Sequence, residues 1–499
     1  MWQQGADAQN LVDRIGRAGR LNAMGHHLIA PNPWMILPFG VLLGTIALAP
    51  RLFAEWWARH YSKVAYSLGA ITVGYYLFGL HAYRHVLHVG QEYLSFIALI
   101  GSLFIVSGGI HINVKGETTP RSNTLFLLIG ALAANLLGTT GASMLLIRPW
   151  IRMNQRRAAA HHIVFFIFIV SNVGGCLTPV GDPPLFLGYL RGIPFWWVAE
   201  HCWPMWAVGV GFLLALFYVI DAVNYRRISR EIHAPLAESH EPWRFAGLWN
   251  IAFLAVILGA VFLHRPPFAR EALMIGAAAG SWFTTRKQVH EANHFNFHPI
   301  QEVAVLFIGI FATMMPALDW LQNNAGQMGQ PSPALFYWGS GLLSSLLDNA
   351  PTYLSFQSAA FGLFVDPEIV DKVQLLIQHP GTDLQSVATG PHAELIRHTF
   401  EALQKYHAAA LAGGKVGTEE IEVAFLLGNH SFNRYILAIS IGAVFFGANT
   451  YIGNGPNFMV KAIADHQKVP TPGFVGLVFR YTLPCMAPML ILIWLLFFR

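Results

Sequence analysis

The sequence predicts an all-α polytopic membrane protein: two inverted-topology repeats with about ten spans, two re-entrant hairpins and broken helices. Three observations predict it. Hydrophobic residues make up 54% of the 499 and charged residues 11%, with a mean hydropathy of +0.45, against about a quarter charged in an ordinary soluble domain. Apolar runs of roughly 20 residues, the length that crosses a bilayer, recur from Trp34 to Phe498. Finally, two polar stretches resemble each other, Gly175-Cys176-Leu177-Thr178-Pro179-Val180-Gly181-Asp182-Pro183-Pro184 and Gly447-Ala448-Asn449-Thr450-Tyr451-Ile452-Gly453-Asn454-Gly455-Pro456. Gly and Pro break helices, and lipid tolerates a broken backbone only where protein or a water-filled cavity covers it.

In chain order, residues 1–33 form an N-terminal arm or an interfacial helix. The first 30 residues lack the continuous apolar core of a cleavable signal, while Leu11, Ile15, Ala18 and Leu21 alternate with Arg14, Arg17 and Arg20, so the segment either lies on the membrane surface or stays disordered. Spans follow near 34–50, 63–80 and 92–113, an apolar segment at 122–147, and further spans near 158–190 and 194–221. The second half repeats this order at 245–263, 268–285, 300–321, a segment at 332–360, then 430–460 and 474–498.

Charge decides how the segments at 122–147 and 332–360 run. As re-entrant hairpins they place Arg59, Lys63, Lys115, Arg121, Arg148, Arg152, Arg157, Arg226, Arg286 and Lys461 on one face, leaving Arg84, Arg191, Arg265 and Arg270 opposite. The basic face is then cytoplasmic. Each half crosses five times, an odd number, so the second half inserts upside down. The domains are therefore 34–221, a cytoplasmic linker 222–244, and 245–498. Tip residues 138 and 348 lie 210 apart and break residues 182 and 454 lie 272 apart. The difference maps to a polar insertion at 362–424, with nine Asp/Glu against four Lys/Arg and helical periodicity (Val373, Leu376, Ile377; Ile396, Phe400, Leu403).

Paired breaks at corresponding places in two halves point to the binding site of a secondary transporter. The hydroxyls and amides clustered there are Thr139, Thr140, Asn172, Thr178, Asn349, Thr352, Asn449, Thr450 and Asn454. Two acids join them: Asp182 in the first break and Asp348 at the second hairpin tip. An Asp at the centre of a membrane helix costs roughly 2.5–3.5 kcal/mol and persists where it caps a helix, finds a partner or holds an ion. A carboxyl out of water is neutralised either by a proton or by a metal cation, the choice that exchange requires, so Asp182 and Asp348 are the candidate sodium ligands. Each also fits a local role, as the N-cap of the helix that follows. Trp34, Trp196, Trp197 and Trp338 near span ends read as interfacial anchors. The three cysteines, Cys176, Cys202 and Cys485, have no metal-ligand spacing and read as packing residues. No nucleophile elbow, phosphate loop or metal cluster points to an enzyme, and the basic residues sit in short loops, not in a nucleic-acid surface.

Ser171-Asn172-Val173-Gly174-Gly175 leading to Gly181-Asp182-Pro183-Pro184, together with Leu347-Asp348-Asn349-Ala350-Pro351-Thr352 and the span from Glu302, resembles the ion transporter superfamily of arsenite-efflux proteins, NhaD-type sodium/proton antiporters and citrate or dicarboxylate carriers. The resemblance covers roughly 60 to 498 apart from the insertion. It implies opposed hairpins, a central site, a homodimer and elevator-like movement, and it extends to a bacterial subgroup described as citrate transporters or sodium/proton antiporters, hence a bacterial inner membrane. The first tip departs from the antiporter pattern, reading Gly138-Thr139-Thr140 where that branch has Asp-Asn. The expected activity is sodium (cation)/proton antiport, with no cofactor and with Na⁺ and H⁺ transported; the alternative is sodium- or proton-coupled carriage of citrate or another carboxylate.

Overall fold

The computed structural model describes residues 29–113, 119–227, 244–263, 266–293, 295–329, 331–379, 384–414 and 416–499. Residues 1–28 of the N-terminal arm, Lys115, Arg265 and most of the linker lie outside the described residues. Eight described helices are long and apolar enough to cross a membrane, and the only described strands are His111–Asn113 and Arg244–Ala246, paired antiparallel.

The first half runs Leu37–Leu52, Ala54–Gly74, Tyr83–Gly108, a kinked helix Pro120–Met153, a broken span beginning at Ala160–Ile169 and resuming at Pro183–Leu190, and Phe195–Arg227. The second half runs Asn250–Val261, Ala269–Thr284, His298–Asn324, a pair Pro333–Leu346 and Asn349–Phe364, a broken span of His430–Phe446 and Gly455–His466, and a closing helical stretch from Phe474 to Phe498. The order expected from sequence is therefore present in both halves. One span is shorter than expected. Asn250–Val261 has 12 residues, about 18 Å at 1.5 Å per residue, because 244–246 pairs as a strand and Gly247 turns with a positive φ of 77°.

The segment Pro120–Met153 is a hairpin. It reverses at Gly138, whose φ of 71° and ψ of 155° are non-helical; a side chain is strained at that φ, and glycine adopts it freely. Contacts across the reversal are nested about residue 138: Asn123 Nδ2 donates to Asn154 Oδ1 at 2.8 Å, and the rings of Phe126 and Trp150 stack at 5.4 Å. The second hairpin reverses at Leu347-Asp348, with Phe336 packing edge-on against Phe356. In each half, hairpin and broken span bury against one another. Phe165, Phe166, Ile167 and Ile169 of the first broken span and Ile439, Ile441, Val444 and Phe445 of the second are all fully buried.

The remaining spans pair across the halves. Helix Ala54–Gly74 crosses His298–Asn324 through small residues: a Cβ on Gly69 would lie 3.3 Å from Ala312, and one on Gly309 would lie 2.9 Å from Ala65. Helix Tyr83–Gly108 meets Ala269–Thr284, where Ser95 donates to Glu271 at 2.5 Å. Polar insertion helices run from Pro367 to Gly428, with Val373, Leu376, Ile377, Ile396 and Leu403 buried as their periodicity implies.

Two sequence expectations are corrected. Trp197 is 1% exposed and stacked on His201, so it is a core residue, whereas Trp34 and Trp196 are exposed. Arg157 is not a loop charge. It lies buried in a bidentate pair with Asp221 at 2.5 and 3.0 Å, with His161 and Asn123 closing on the same carboxylate at 3.1 and 3.0 Å. The pair ties the base of the first hairpin to the Phe195–Arg227 helix. The three cysteines are free and buried.

Candidate functional site

The two breaks are built alike. In the first, Thr178 Oγ1 donates to the Asn135 carbonyl of the first hairpin at 2.6 Å and accepts from Gly181 N at 3.1 Å. In the second, Thr450 Oγ1 donates to the Ser345 carbonyl of the second hairpin at 2.6 Å and accepts from Gly453 N at 3.1 Å. Each hydroxyl thus holds its break against its own hairpin and closes the turn that precedes the resuming helix. The glycines are required by close approach. A Cβ on Gly181 would lie 2.0 Å from the Gly175 oxygen, and one on Gly453 would lie 2.5 Å from the Gly447 oxygen.

Carbonyls that the breaks leave without helical partners are satisfied by buried amides that the sequence reading passed over. Asn135 Nδ2 donates to Gly174 O at 2.7 Å while its Oδ1 accepts from Leu177 N at 2.8 Å. Asn457 Nδ2 donates to Gly447 O and Thr450 O at 2.8 and 2.9 Å. Asn135 lies one turn before the hairpin reversal at Gly138 and Asn457 in the first turn of the helix that resumes after the second break, and an amide beside a chain reversal or break is the signal that finds them.

The halves meet at Asp182, which is fully buried. Its Oδ1 accepts from Thr139 Oγ1 of the first hairpin tip at 2.7 Å and from Asn454 Nδ2 of the second break at 3.1 Å. Its Oδ2 accepts from Asn349 Nδ2 of the second hairpin at 2.6 Å. Although Asp182 occupies the N-cap position of Pro183–Leu190, its side chain makes no cap hydrogen bond; both oxygens turn toward the other segments. Asn454, its counterpart in the second half, donates also to Asn172 Oδ1 at 3.1 Å, and Asn172 Nδ2 donates to Asn457 Oδ1 at 2.7 Å. A seam of amides therefore joins the two breaks, with one carboxylate at its end.

Asp348 is placed differently. It is only half-buried, and its Oδ1 accepts from Ala350 N at 3.0 Å as the N-cap of the returning arm. Thr352 Oγ1 donates to the Asp348 carbonyl at 3.1 Å. Asn449 Nδ2 donates to Ser345 Oγ at 2.9 Å, away from Asp182. Thr140 is half-buried beside a small cavity lined also by Thr139, Asp182, Leu99, Leu103 and Phe186, which sits where the first tip faces helix Tyr83–Gly108. Of the candidates, Thr139, Asn349 and Asn454 meet at Asp182, Asn172 joins them through Asn454, and Thr178 and Thr450 shape the breaks.

Chemically, three neutral side chains holding one buried carboxylate make an adaptable site. Asn349 Oδ1 and Asn449 Oδ1 are buried acceptors without a partner among the described residues. An amide that donates to a carboxylate presents its oxygen instead when it rotates by half a turn. The same groups can therefore hold the carboxyl alone or share a cation with it.

Residues 29–498 match the family described as "Putative citrate transport". The chain belongs to that family. A comparison with curated proteins finds no match. The family and the helical architecture together make the chain a multi-pass membrane transporter of the secondary class, not an enzyme.

Proposed function

We propose that this transporter exchanges a monovalent cation, sodium first, for protons. The observation that carries the reading is Asp182: a fully buried carboxylate at the meeting point of both halves, held by Thr139, Asn349 and Asn454 with no cationic side chain among its hydrogen-bond partners. Such a group is neutralised by a proton or by Na⁺, never by both, and that exclusion couples the two fluxes. Thr139 and Thr140 close the site from one hairpin and Asn349 and Thr352 from the other, with Asp348 lending negative potential from the second tip. The test is sodium-dependent collapse of a proton gradient in everted vesicles. Purified protein that shows none fails this reading.

The family description favours a second reading, cation-coupled carriage of citrate. There Asn172 and Asn449, with the helix N-termini at Pro183 and Gly455, receive carboxylates, and Asp182 keeps the coupling cation. Uptake of labelled citrate into proteoliposomes separates the two.

The movement that fits either reading is sliding of 122–190, 332–360 and 430–460 as one unit against the remaining spans, which also make the contact of a homodimer. A Cβ on Gly141 of the first tip would lie 2.7 Å from Ser107 Oγ on helix Tyr83–Gly108, so a Ser107→Cys/Gly141→Cys pair bridges unit and scaffold. Full transport with that crosslink closed rules out sliding.

A further inference from the structure

The returning arm of the second hairpin, Asn349–Phe364, carries Asn349, Tyr353 and Gln357 at four-residue spacing, on one face of the helix. Their exposures are 0%, 1% and 0%. Asn349 binds Asp182, and the Tyr353 hydroxyl lies against Gly188, where a Cβ would come within 2.4 Å of it. Gln357 is the unusual member, because both its Nε2 and its Oε1 are buried without a partner among the described residues. A buried polar group that nothing satisfies is costly, and in native proteins an orphan of this kind ordinarily meets water or an ion.

The polar groups continue outward. Ser358 Oγ accepts from Arg191 Nη1 at 3.4 Å, and Arg191 Nε donates to Glu92 Oε1 at 3.1 Å. His88 lies 3.9 Å from Glu92 and 3.7 Å from Glu419 of the insertion. Around this junction, Gln322 donates to Glu422 at 3.3 Å, Tyr76 donates to Asp319 at 2.6 Å, and His85 lies 3.6 Å from Asp319. Four carboxylates, Glu92, Glu419, Glu422 and Asp319, face one arginine and two histidines, so the cluster attracts protons and cations and disfavours anions.

We propose that this face of the returning arm is a hydrated proton route from the insertion side of the membrane to Asp182, with Gln357 as its water-binding station. The proposal rests on Asp182 being the exchanging group. In each relay step a water or side chain accepts one proton and passes one on, so every carrier returns to its starting composition and the proton ends on an Asp182 oxygen. The amide of Gln357, donor at one end and acceptor at the other, orients water without titrating itself.

The test compares Gln357→Cys with Ala360→Cys, a second residue of the same helix that is also 0% exposed, in a chain whose Cys176, Cys202 and Cys485 are replaced by alanine. A charged, membrane-impermeant methanethiosulfonate is applied from the insertion side of reconstituted protein. The expected result is modification of Gln357→Cys at least tenfold faster than Ala360→Cys, and equal rates overturn the proposal. Labelling needs no transport, so absent sodium/proton exchange would sink the function reading and leave this result standing. In protein that does exchange, Gln357→Leu is expected to slow proton flux at least tenfold while Gln357→Glu keeps it. Wild-type flux in folded Gln357→Leu protein, verified by size-exclusion chromatography, also overturns the route.

Discussion

Replacing Asp182 with asparagine separates charge from shape at the meeting point of the two halves. The carboxylate accepts three hydrogen bonds, at 2.6, 2.7 and 3.1 Å. An asparagine keeps Oδ1 for Thr139 and Asn454 and places an NH₂ where Oδ2 stood, facing the NH₂ of Asn349. That conflict has a local remedy. Asn349 Oδ1 is buried without a partner among the described residues, so rotation of the Asn349 amide turns its oxygen to the new donor and restores the third bond. Each bond then falls from charge-assisted, about 1.5–3 kcal/mol, to neutral, about 1 kcal/mol. Against that loss stands relief from burying a charge with no cationic partner, itself several kcal/mol. The two nearly cancel, so Asp182→Asn is expected to fold and melt within a few degrees of wild type. Exchange, which needs an ionisable group there, falls at least a hundredfold. Thermal unfolding followed by fluorescence-detected size exclusion, with the vesicle proton-gradient assay on the same preparation, reads both quantities. Wild-type exchange by the folded variant refutes the role of Asp182; a collapse of folding refutes the amide-rotation argument.

Other perturbations have equally definite outcomes. Gly181→Ala and Gly453→Ala drive a methyl onto a backbone oxygen at 2.0 and 2.5 Å and should abolish monodisperse protein, whereas Gly455→Ala, with nothing within 4 Å, should express and transport within twofold of wild type. Arg157→Ala leaves the buried Asp221 carboxylate without its guanidinium and should cost about 3–5 kcal/mol, read as a lowered melting temperature; Arg157→Ala with Asp221→Asn should recover part of it. Docking of the insertion should depend on pH in two directions. Burial raises Glu422 from 4.5 to about 8, so its contribution is present at low pH and is lost as pH rises from 4.5 through 8. Glu419 is held below its ordinary value by the hydrogen bond from His88 and by the Arg191 charge, against its desolvation, so its contribution is present above 4.5 and is lost as pH falls through the lowered value. Amide protection factors in Thr418–Gly428, which correct for the intrinsic pH dependence of exchange, should therefore fall on both sides of a middle window, and Glu422→Gln should remove the alkaline limb.

The sequence by itself determined the class and the order of elements. Hydropathy specifies membrane segments because lipid admits no unsatisfied backbone, and Gly and Pro punctuate the two breaks because helices cannot run through them. The repeated Thr-Pro/Tyr-Val/Ile-Gly pattern marked the hydroxyls of Thr178 and Thr450, since a short-range turn depends on neighbours close in the chain. Tertiary structure decided which polar residues act together. In sequence, Asp182 and Asp348 are alike, each an acid ahead of a helix start. In the fold, Asp348 caps its own helix, while Asp182 forgoes its cap for donors from residues 139, 349 and 454. Nothing local distinguishes the two, because those donors come from three other segments. Arg157 reads as one more basic loop residue until Asp221, 64 positions away, folds onto it. Burial is what makes these long-range partners matter, since a charge or amide in a dry interior must find its complement wherever the chain brings one.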